Sequence, residues 1–189
     1  QLLLKKGDEV LISGMEHHAN IVPWQLACDR HSAVLKVIPI TDSGEWDLTH
    51  VPFSDKTRIL AISQVSNTLG TINPIKELIA EAKSRGNSGR GIITVVDGAQ
   101  AIAHLDIDVQ DLGCDLYAFS GHKAYGPTGT GVLYGREELL NEMPPWQGGG
   151  EMIDVVTFEK TTFAKLPFKF EAGTPHIAGI IGLGEAFRW

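Results

Sequence analysis

Short apolar runs of strand length alternate along this chain with segments of helical periodicity, and this alternation limits the fold more than any other sequence feature. Strands that alternate with helices predict an α/β fold with a mostly parallel central sheet flanked by helices. The fully apolar runs indicate strands buried on both faces. The predicted strands are Val10–Ser13, Ala33–Ile40, Arg58–Gln64, Gly91–Val96, Leu116–Phe119 and Gly131–Tyr134, and the predicted helices are Ile21–Arg30, Pro74–Arg85 and His176–Phe187, with a loop at Asn87–Arg90.

Length and composition narrow the class of protein. A chain of 189 residues is long enough for one domain with a hydrophobic core, and we interpret residues 1–189 as a single domain. A net charge of -7 without a cluster of Lys and Arg argues against nucleic-acid binding. No apolar run is long enough to span a bilayer. Two cysteines without a Cys-x-x-Cys pair favour a reducing cytoplasm over a disulfide framework.

The two ends of the sequence indicate a piece of a longer protein. Gln1 is not a start methionine, and a predicted core strand follows within ten residues. The sequence stops at Trp189, in what the pattern indicates is the middle of a helix. We therefore expect that the chain lacks the start of its protein and whatever follows the last helix.

Polar residues follow four different predicted strands at the point where each strand ends. They are His17, Asn67, Asp97 with Gln100, and the Ser120–Lys123 turn. Ligands of open parallel sheets bind beyond the carboxyl ends of the strands. Capping alone does not readily explain so many polar residues at one edge, so the sequence predicts a site there.

Asp97 directly follows the apolar run Ile92–Val96, and a carboxylate in that position is costly to bury without a partner. One suitable partner is a pyridinium nitrogen, which a carboxylate keeps protonated so that the ring accepts electrons. The simpler alternative for Asp97 by itself is a helix N-cap ahead of Gly98–Gln100.

Lys123 lies in a glycine-rich turn after the strand Leu116–Phe119. A lysine in that position can reach a phosphate or attack a carbonyl carbon, for which it must lose its proton. Ser120 and His122 flank it and can donate hydrogen bonds to a phosphate or a ring oxygen. The neighbouring glycines are interpreted as allowing close approach of a ligand. The alternative is a solvated surface lysine.

Several well-known motifs do not occur. There is no Gly-x-x-x-x-Gly-Lys-[Ser/Thr] loop, and the glycines after Lys123 precede a strand instead of opening a helix, which excludes the dinucleotide fingerprint. His17 and His18 are adjacent, without a His-Glu-x-x-His motif or a cysteine pair, so no metal site is predicted. One of these histidines could stack on a planar cofactor, and the alternative is a polar loop.

Taken together, several stretches resemble group II cysteine desulfurases of the SufS type, within the class V aminotransferase family of pyridoxal-phosphate (PLP) enzymes. The resemblance runs in unbroken order over nearly the whole chain. The stretches are Met15–Trp24, Val65–Asn67 with Leu69–Thr71, Val96–Gln100, Phe119–Lys123 with Tyr125–Gly129, Glu142–Trp146 with Gly148–Gly150, and Phe170–Pro175.

The resemblance implies a fold, a reaction and partners. The fold is the large domain of the type I PLP transferases, which is aspartate aminotransferase-like. The cofactor is pyridoxal 5'-phosphate, and the substrate is L-cysteine, which is converted to L-alanine. The persulfide sulfur goes to an acceptor protein for iron–sulfur cluster assembly. The assembly is a cytoplasmic homodimer.

The resemblance also implies a role for each polar residue at the strand ends. Lys123 holds the cofactor as a Schiff base and later moves the substrate's Cα proton. Asp97 pairs with the pyridine nitrogen, and His17 stacks over the ring and can transfer protons. Gln100 donates to the ring oxygen, and Asn67 helps hold the substrate carboxylate or the cofactor.

Three further residues are implied to hold the phosphate. Ser120 and His122 bind it within the same chain, whereas Thr174 reaches the phosphate of the partner subunit. The family's Arg-Gly-Thr-Thr-Glu phosphate segment would precede this chain, and the persulfide cysteine with its substrate-binding arginine would follow Trp189. Cys28 and Cys114 match no such motif and are interpreted as small buried hydrophobic residues.

The sequence leaves three interpretations open. The first is the large cofactor domain of a cysteine desulfurase without its small domain, inactive as a fragment. The second is a selenocysteine lyase or another enzyme of the class V family. The third is a folded, non-catalytic remnant that binds no cofactor.

Overall fold

The computed structural model describes residues 4–85 and 91–189, so the predicted loop Asn87–Arg90 lies outside the described residues. A six-stranded sheet has the order β2-β1-β3-β4-β5-β6. Its first five strands in this order are parallel, and β6 runs antiparallel to β5. The predicted α/β fold with a mostly parallel sheet is confirmed. The strands are β1 Glu9–Ser13, β2 Val34–Ile38, β3 Thr57–Ser63, β4 Ile93–Asp97, β5 Leu116–Ser120 and β6 Gly131–Gly135.

The three predicted helices form within one residue of their predicted bounds. They are α1 Val22–His31, α2 Ile75–Ser84 and α5 Ile177–Ala186. In α2 the apolar positions at helical spacing are all buried, which are Ile75, Leu78, Ile79 and Ala82. Such an amphipathic stripe stabilises a ten-residue helix mainly through packing on the sheet, because short helices are marginal by themselves.

Four short elements were not predicted. The helices α3 Val109–Leu112 and α4 Glu137–Glu142 span only one or two turns. The strands β7 Ile153–Val156 and β8 Thr161–Phe163 form a separate two-stranded antiparallel sheet. These strands are mostly exposed, so their sequence lacks the apolar alternation by which half-buried strands are recognised.

Two apolar layers cover the two faces of the sheet. Because neighbouring residues of a strand point to opposite faces, Leu11 and Leu60 pack in the layer that contains α2, whereas Val10 and Ile59 pack with Cys28 of α1. Burying one Leu or Ile side chain contributes about 1.5–3 kcal/mol to folding. The sheet therefore forms a rigid base for the residues that follow its strands.

The parallel arrangement brings four strand ends to one edge of the sheet. β1, β3, β4 and β5 end at Ser13, Ser63, Asp97 and Ser120. Ser63 is the register partner of Asp97, and Asp97 that of Ala118. The residues predicted to form a site therefore begin at this carboxyl edge.

No helix in the described ranges is both long and apolar enough to cross a membrane. Within the same ranges no group of His, Cys, Asp and Glu has an arrangement that could hold a metal ion.

Candidate active site

A cavity of about 630 Å³ opens at the carboxyl edge of the sheet. This volume lies in the range typical of small-molecule and cofactor sites. Seven of the eight predicted site residues line it, which are His17, Asn67, Asp97, Gln100, Ser120, His122 and Lys123. The eighth, Thr174, is exposed and lies outside this cavity. The structure thus brings the strand-end residues together as predicted.

His17 forms one wall of the cavity, in the connection between β1 and α1. It caps a short 3-10 turn at His18–Asn20, where its Nδ1 accepts a hydrogen bond of 3.1 Å from the Ala19 backbone N–H. A neutral imidazole that accepts through Nδ1 carries its proton on Nε2. The cap therefore fixes both the orientation of the ring and the nitrogen that can donate.

Asp97 is the last residue of β4 and is half-buried. Its Oδ1 accepts a hydrogen bond of 2.9 Å from the Ala99 backbone N–H, so the capping alternative is part of the actual geometry. Within the described residues no hydrogen bond reaches Oδ2. The carboxylate can therefore cap the following turn with one oxygen and bind a cationic ring nitrogen with the other.

Lys123 ends a 3-10 turn, Gly121–Lys123, that directly follows β5. Its side chain is half-buried, and its Nζ has no hydrogen-bond or ion-pair partner in the described part of the chain. Two residues later Tyr125 adopts a left-handed backbone with φ of 60°, which is unusual for a residue other than glycine. An amine without a partner at a ligand-sized cavity is available to bond with a ligand.

Two of the glycines around Lys123, Gly121 and Gly126, pack closely against other parts of the protein. A Cβ at Gly121 would overlap the Thr130 hydroxyl, and a Cβ at Gly126 would lie 2.6 Å from Cδ1 of Leu183. The absent side chains make room for neighbouring protein atoms. Their tertiary neighbours are 9 and 57 positions away, so the sequence alone gave no means of identifying them.

Glu16 directly precedes His17 but does not line the cavity, and its role was not predicted from the sequence. Its buried carboxylate accepts hydrogen bonds from the hydroxyls of Ser13 and Ser63, from the Ser63 backbone N–H at 3.1 Å and from Nδ2 of Asn20 at 2.7 Å. The Oδ1 of Asn20 in turn accepts the indole N–H of Trp24 at 2.9 Å. Glu16, Asn20 and Trp24 are spaced four residues apart, and this was the only sequence signal of the network.

Tyr117 supports the Asp97 side of the cavity from within the core. Its hydroxyl donates to Oε1 of Gln64 at 2.7 Å, and the backbone N–H of Gln64 donates to the Asp97 carbonyl at 3.0 Å. Burial raises the pKa of the Tyr117 hydroxyl, and the nearby Cys114 and Asp97 raise it further. A Cβ at Gly98 would overlap the Tyr117 ring, so only glycine fits there.

Both cysteines are free and buried, as predicted. Burial raises the pKa of both thiols, and that of Cys114 reaches about 11. Because the thiolate is the nucleophile, neither cysteine is activated near neutral pH. Neither one lines the cavity.

The whole chain, with its sheet and lysine-bearing cavity, matches one known protein family. The model of the class V aminotransferase family matches residues 1–189. The chain belongs to the class V aminotransferase family.

Within that family the chain is similar to cysteine desulfurases. It is 55% identical over 186 residues to a cysteine desulfurase of Dickeya dadantii strain 3937. The aligned region covers 97% of this chain and 44% of that relative. The crystal structure of the cysteine desulfurase CsdA from Escherichia coli superimposes with a TM-score of 0.93 at 45% identity, over 98% of this chain and 46% of that one. The predicted resemblance to cysteine desulfurases is thus confirmed.

A more distant structure shows a cofactor in the same fold. A variant of the protein C-DES with glycine covalently linked to its PLP cofactor is 28% identical, with a TM-score of 0.85 over 97% of this chain and 49% of that one. The chain spans slightly less than half the length of the relatives and structures it matches.

Proposed function

We propose that the cavity at the carboxyl edge binds pyridoxal 5'-phosphate through Lys123, and that the longer protein is a cysteine desulfurase. Its reaction would convert L-cysteine to L-alanine and pass persulfide sulfur to an acceptor protein for iron–sulfur cluster assembly. The observation that supports this most is the convergence of Lys123, Asp97 and His17 on one cavity. The likeness to named cysteine desulfurases supports the substrate.

The residues present fit the cofactor. Lys123 offers an amine without a protein partner, and Asp97 offers a free carboxylate oxygen. Ser120 and His122 provide hydrogen-bond donors at the same edge of the cavity. When bound, pyridoxal phosphate supplies an electron sink that stabilises negative charge developing at the substrate's Cα.

Two residues are proposed to do the catalytic work. Lys123 would attach the cofactor and, once released by substrate, would move the proton at the substrate's Cα. His17 would lie over the cofactor ring, with the proton on Nε2 available for transfer. The cap at Nδ1 keeps that nitrogen from rotating away.

The remaining residues are proposed to hold and orient. Asp97 would keep the ring nitrogen protonated through Oδ2, and Gln100 would donate to the ring oxygen. Asn67 would hold the substrate carboxylate or the cofactor. The phosphate would be bound by Ser120 and His122, together with Thr174 of a second copy, because Thr174 is exposed and outside its own chain's cavity.

We propose a cytoplasmic homodimer, with residues 1–189 as the large cofactor domain. The residues from β6 onward expose many large apolar side chains, including Trp146, Phe158 and Ile181, and such surfaces mark association. Because the chain's two cysteines are buried and outside the cavity, no thiol of these residues can accept sulfur from substrate. We therefore expect no turnover of L-cysteine by the 189 residues alone.

The test is covalent labelling. The chain is incubated with pyridoxal phosphate, reduced with borohydride to fix any bond to lysine, and digested for mass spectrometry, with Lys123→Ala in parallel. We expect a visible absorption band before reduction in the parent chain but not in the variant, and after reduction the cofactor's mass on the peptide that contains Lys123. Labelling spread evenly over surface lysines, such as Lys36 and Lys76, would refute the site and favour a remnant without cofactor.

A further inference from the structure

We propose that Glu16 is a positioning residue that fixes the walls of the cavity, so that His17, Trp24 and Asp97 keep their places relative to one another. The part of this inference that concerns cofactor affinity rests on the proposed function. The part that concerns the walls themselves does not, and it can be tested without cofactor.

The carboxylate of Glu16 has its full set of donors. Oε1 accepts from the Ser13 hydroxyl and the Ser63 backbone N–H, and Oε2 accepts from the Ser63 hydroxyl and from Nδ2 of Asn20. A carboxylate has about four lone-pair positions, and all are used. The side chain is only 7% exposed, so these bonds replace the water that burial removes.

The donors come from three separate elements of the fold. Ser13 ends β1, Ser63 ends β3, and Asn20 lies in the 3-10 turn before α1. Glu16 therefore ties the connection that carries His17 to two neighbouring strand ends. Among the described residues no cation pairs with Glu16, so its fixed position depends on neutral donors with definite directions.

Through Asn20 and Ser63, Glu16 is also connected to other residues that line the cavity. Asn20 binds the indole N–H of Trp24, and both residues line the cavity. Ser63 also lines the cavity and is the register partner of Asp97. His17 directly follows Glu16 in sequence. A single buried side chain thus connects the proposed stacking residue, an aromatic wall residue and the strand that neighbours Asp97.

The direct test is Glu16→Gln. The amide of Gln has nearly the same shape as the carboxylate. Its NH₂ group, however, is a donor and would face the donors that now bind a Glu16 oxygen. We expect pyridoxal phosphate to bind on the order of tenfold more weakly, the size expected for losing hydrogen bonds to a buried charge. The affinity is measured by titrating the 189-residue chain and following the cofactor's visible absorption.

Asp115 offers a matched control at the opposite edge of the sheet. It is 8% exposed and, like Glu16, accepts from a backbone N–H and a hydroxyl, here both of Thr94. Unlike Glu16, it also pairs with Lys83 and Arg136, each at 3.4 Å, so its substitution is the more demanding test of the fold. It precedes β5 and does not line the cavity. Asp115→Asn therefore tests what loss of a buried carboxylate does to the fold alone, and we expect its cofactor affinity to match the parent chain.

A second readout needs no cofactor. In the parent chain the Ser63 amide and the Trp24 indole N–H are hydrogen-bonded within the Glu16 network, which slows their exchange with deuterium. We expect NMR to show faster exchange at both groups in Glu16→Gln, with the amides of Leu60 and Ile62 unchanged. Asp115→Asn should leave Ser63 and Trp24 protected.

If Glu16→Gln does not fold, Ser13→Ala replaces it, because Ser13 contacts Glu16 but does not line the cavity. Because the Ser13 hydroxyl also accepts a hydrogen bond of 3.4 Å from the Met15 backbone N–H, weaker cofactor binding supports the role of Glu16 when the Ser63 amide exchanges faster as well. Equal cofactor affinities and equal exchange in Glu16→Gln and Asp115→Asn would overturn the proposal. If the parent chain binds no pyridoxal phosphate, the proposed function fails, and the exchange of Ser63 and Trp24 alone decides the role of Glu16.

Discussion

The centre of the sheet and the region from β6 onward differ sharply in how much apolar surface they leave to solvent. In the centre, formed by β1, β3 and β4, Leu60 is fully buried. In the open flank, by which we mean residues 131–189, Leu133 is 53% and Trp146 82% exposed. The centre thus has a completed core, whereas the open flank presents apolar side chains that a partner surface could cover. The cavity lies at the carboxyl edge of the completed part.

The largest expected effect comes from truncating matched leucines in the two regions. Leu60→Ala leaves a cavity in the core and should lower the free energy of unfolding by about 4 kcal/mol. Leu133→Ala removes a half-exposed side chain and should cost less than about 1 kcal/mol. Urea denaturation of both variants measures the difference. Similar losses would show that the open flank is packed as tightly as the centre.

A smaller effect concerns pH and the thiol of Cys114, in the core layer that contains α2. Burial raises the pKa of Cys114 to about 11, so the folded state holds the thiol proton more tightly than the unfolded state. This contribution to stability is complete below about pH 8.5 and is lost as the pH rises toward about 11. We expect a loss of about 2 kcal/mol over that range, reduced in Cys114→Ala.

Urea denaturation at several pH values between neutrality and pH 11 measures this loss. The comparison is between the slopes of the two proteins, because Cys114→Ala lowers stability at every pH. Tyr117 has a raised pKa as well and contributes to the alkaline loss in both proteins. Parallel slopes for the two proteins would contradict the assignment to Cys114.

The smallest effect on folding is expected at the tip of the β7–β8 hairpin. Phe158 is fully exposed, so Phe158→Ser should change the free energy of unfolding by less than about 0.5 kcal/mol. If the open flank mediates self-association, the same change should shift the chain from dimers toward monomers. Light scattering at micromolar concentration measures this, and Lys160→Ser serves as a control for the loss of a polar neighbour. A parent chain that is already monomeric would contradict the proposed homodimer.

The parts of the site that follow strands were predictable from the sequence. Lys123, Asp97 and His17 each come after an apolar run, and parallel strands place such residues at one edge. The main helices were predictable for a similar reason, since their apolar positions have helical spacing and Pro23 lies in the first turn of α1.

The supporting contacts were not predictable, because they join residues far apart in sequence. Glu16 and Ser63 are 47 positions apart, and Tyr117 and Gln64 are 53 apart. A lone Glu in a polar loop is indistinguishable from a solvated residue until the fold brings its donors together. The same holds for Gly126, whose packing partner Leu183 lies in α5.

The overlap between Tyr117 and a side chain at Gly98 has a consequence for the sequences this fold can accept. Position 98 should tolerate only glycine as long as residue 117 keeps its aromatic ring. In a saturation library, codons for the other amino acids at position 98 should therefore be depleted. Alanine at 98 should become acceptable only beside a smaller residue at 117. That residue would give up the hydroxyl that holds Gln64. The two positions are therefore expected to vary as a pair, and a homologue without this glycine should also lack this tyrosine.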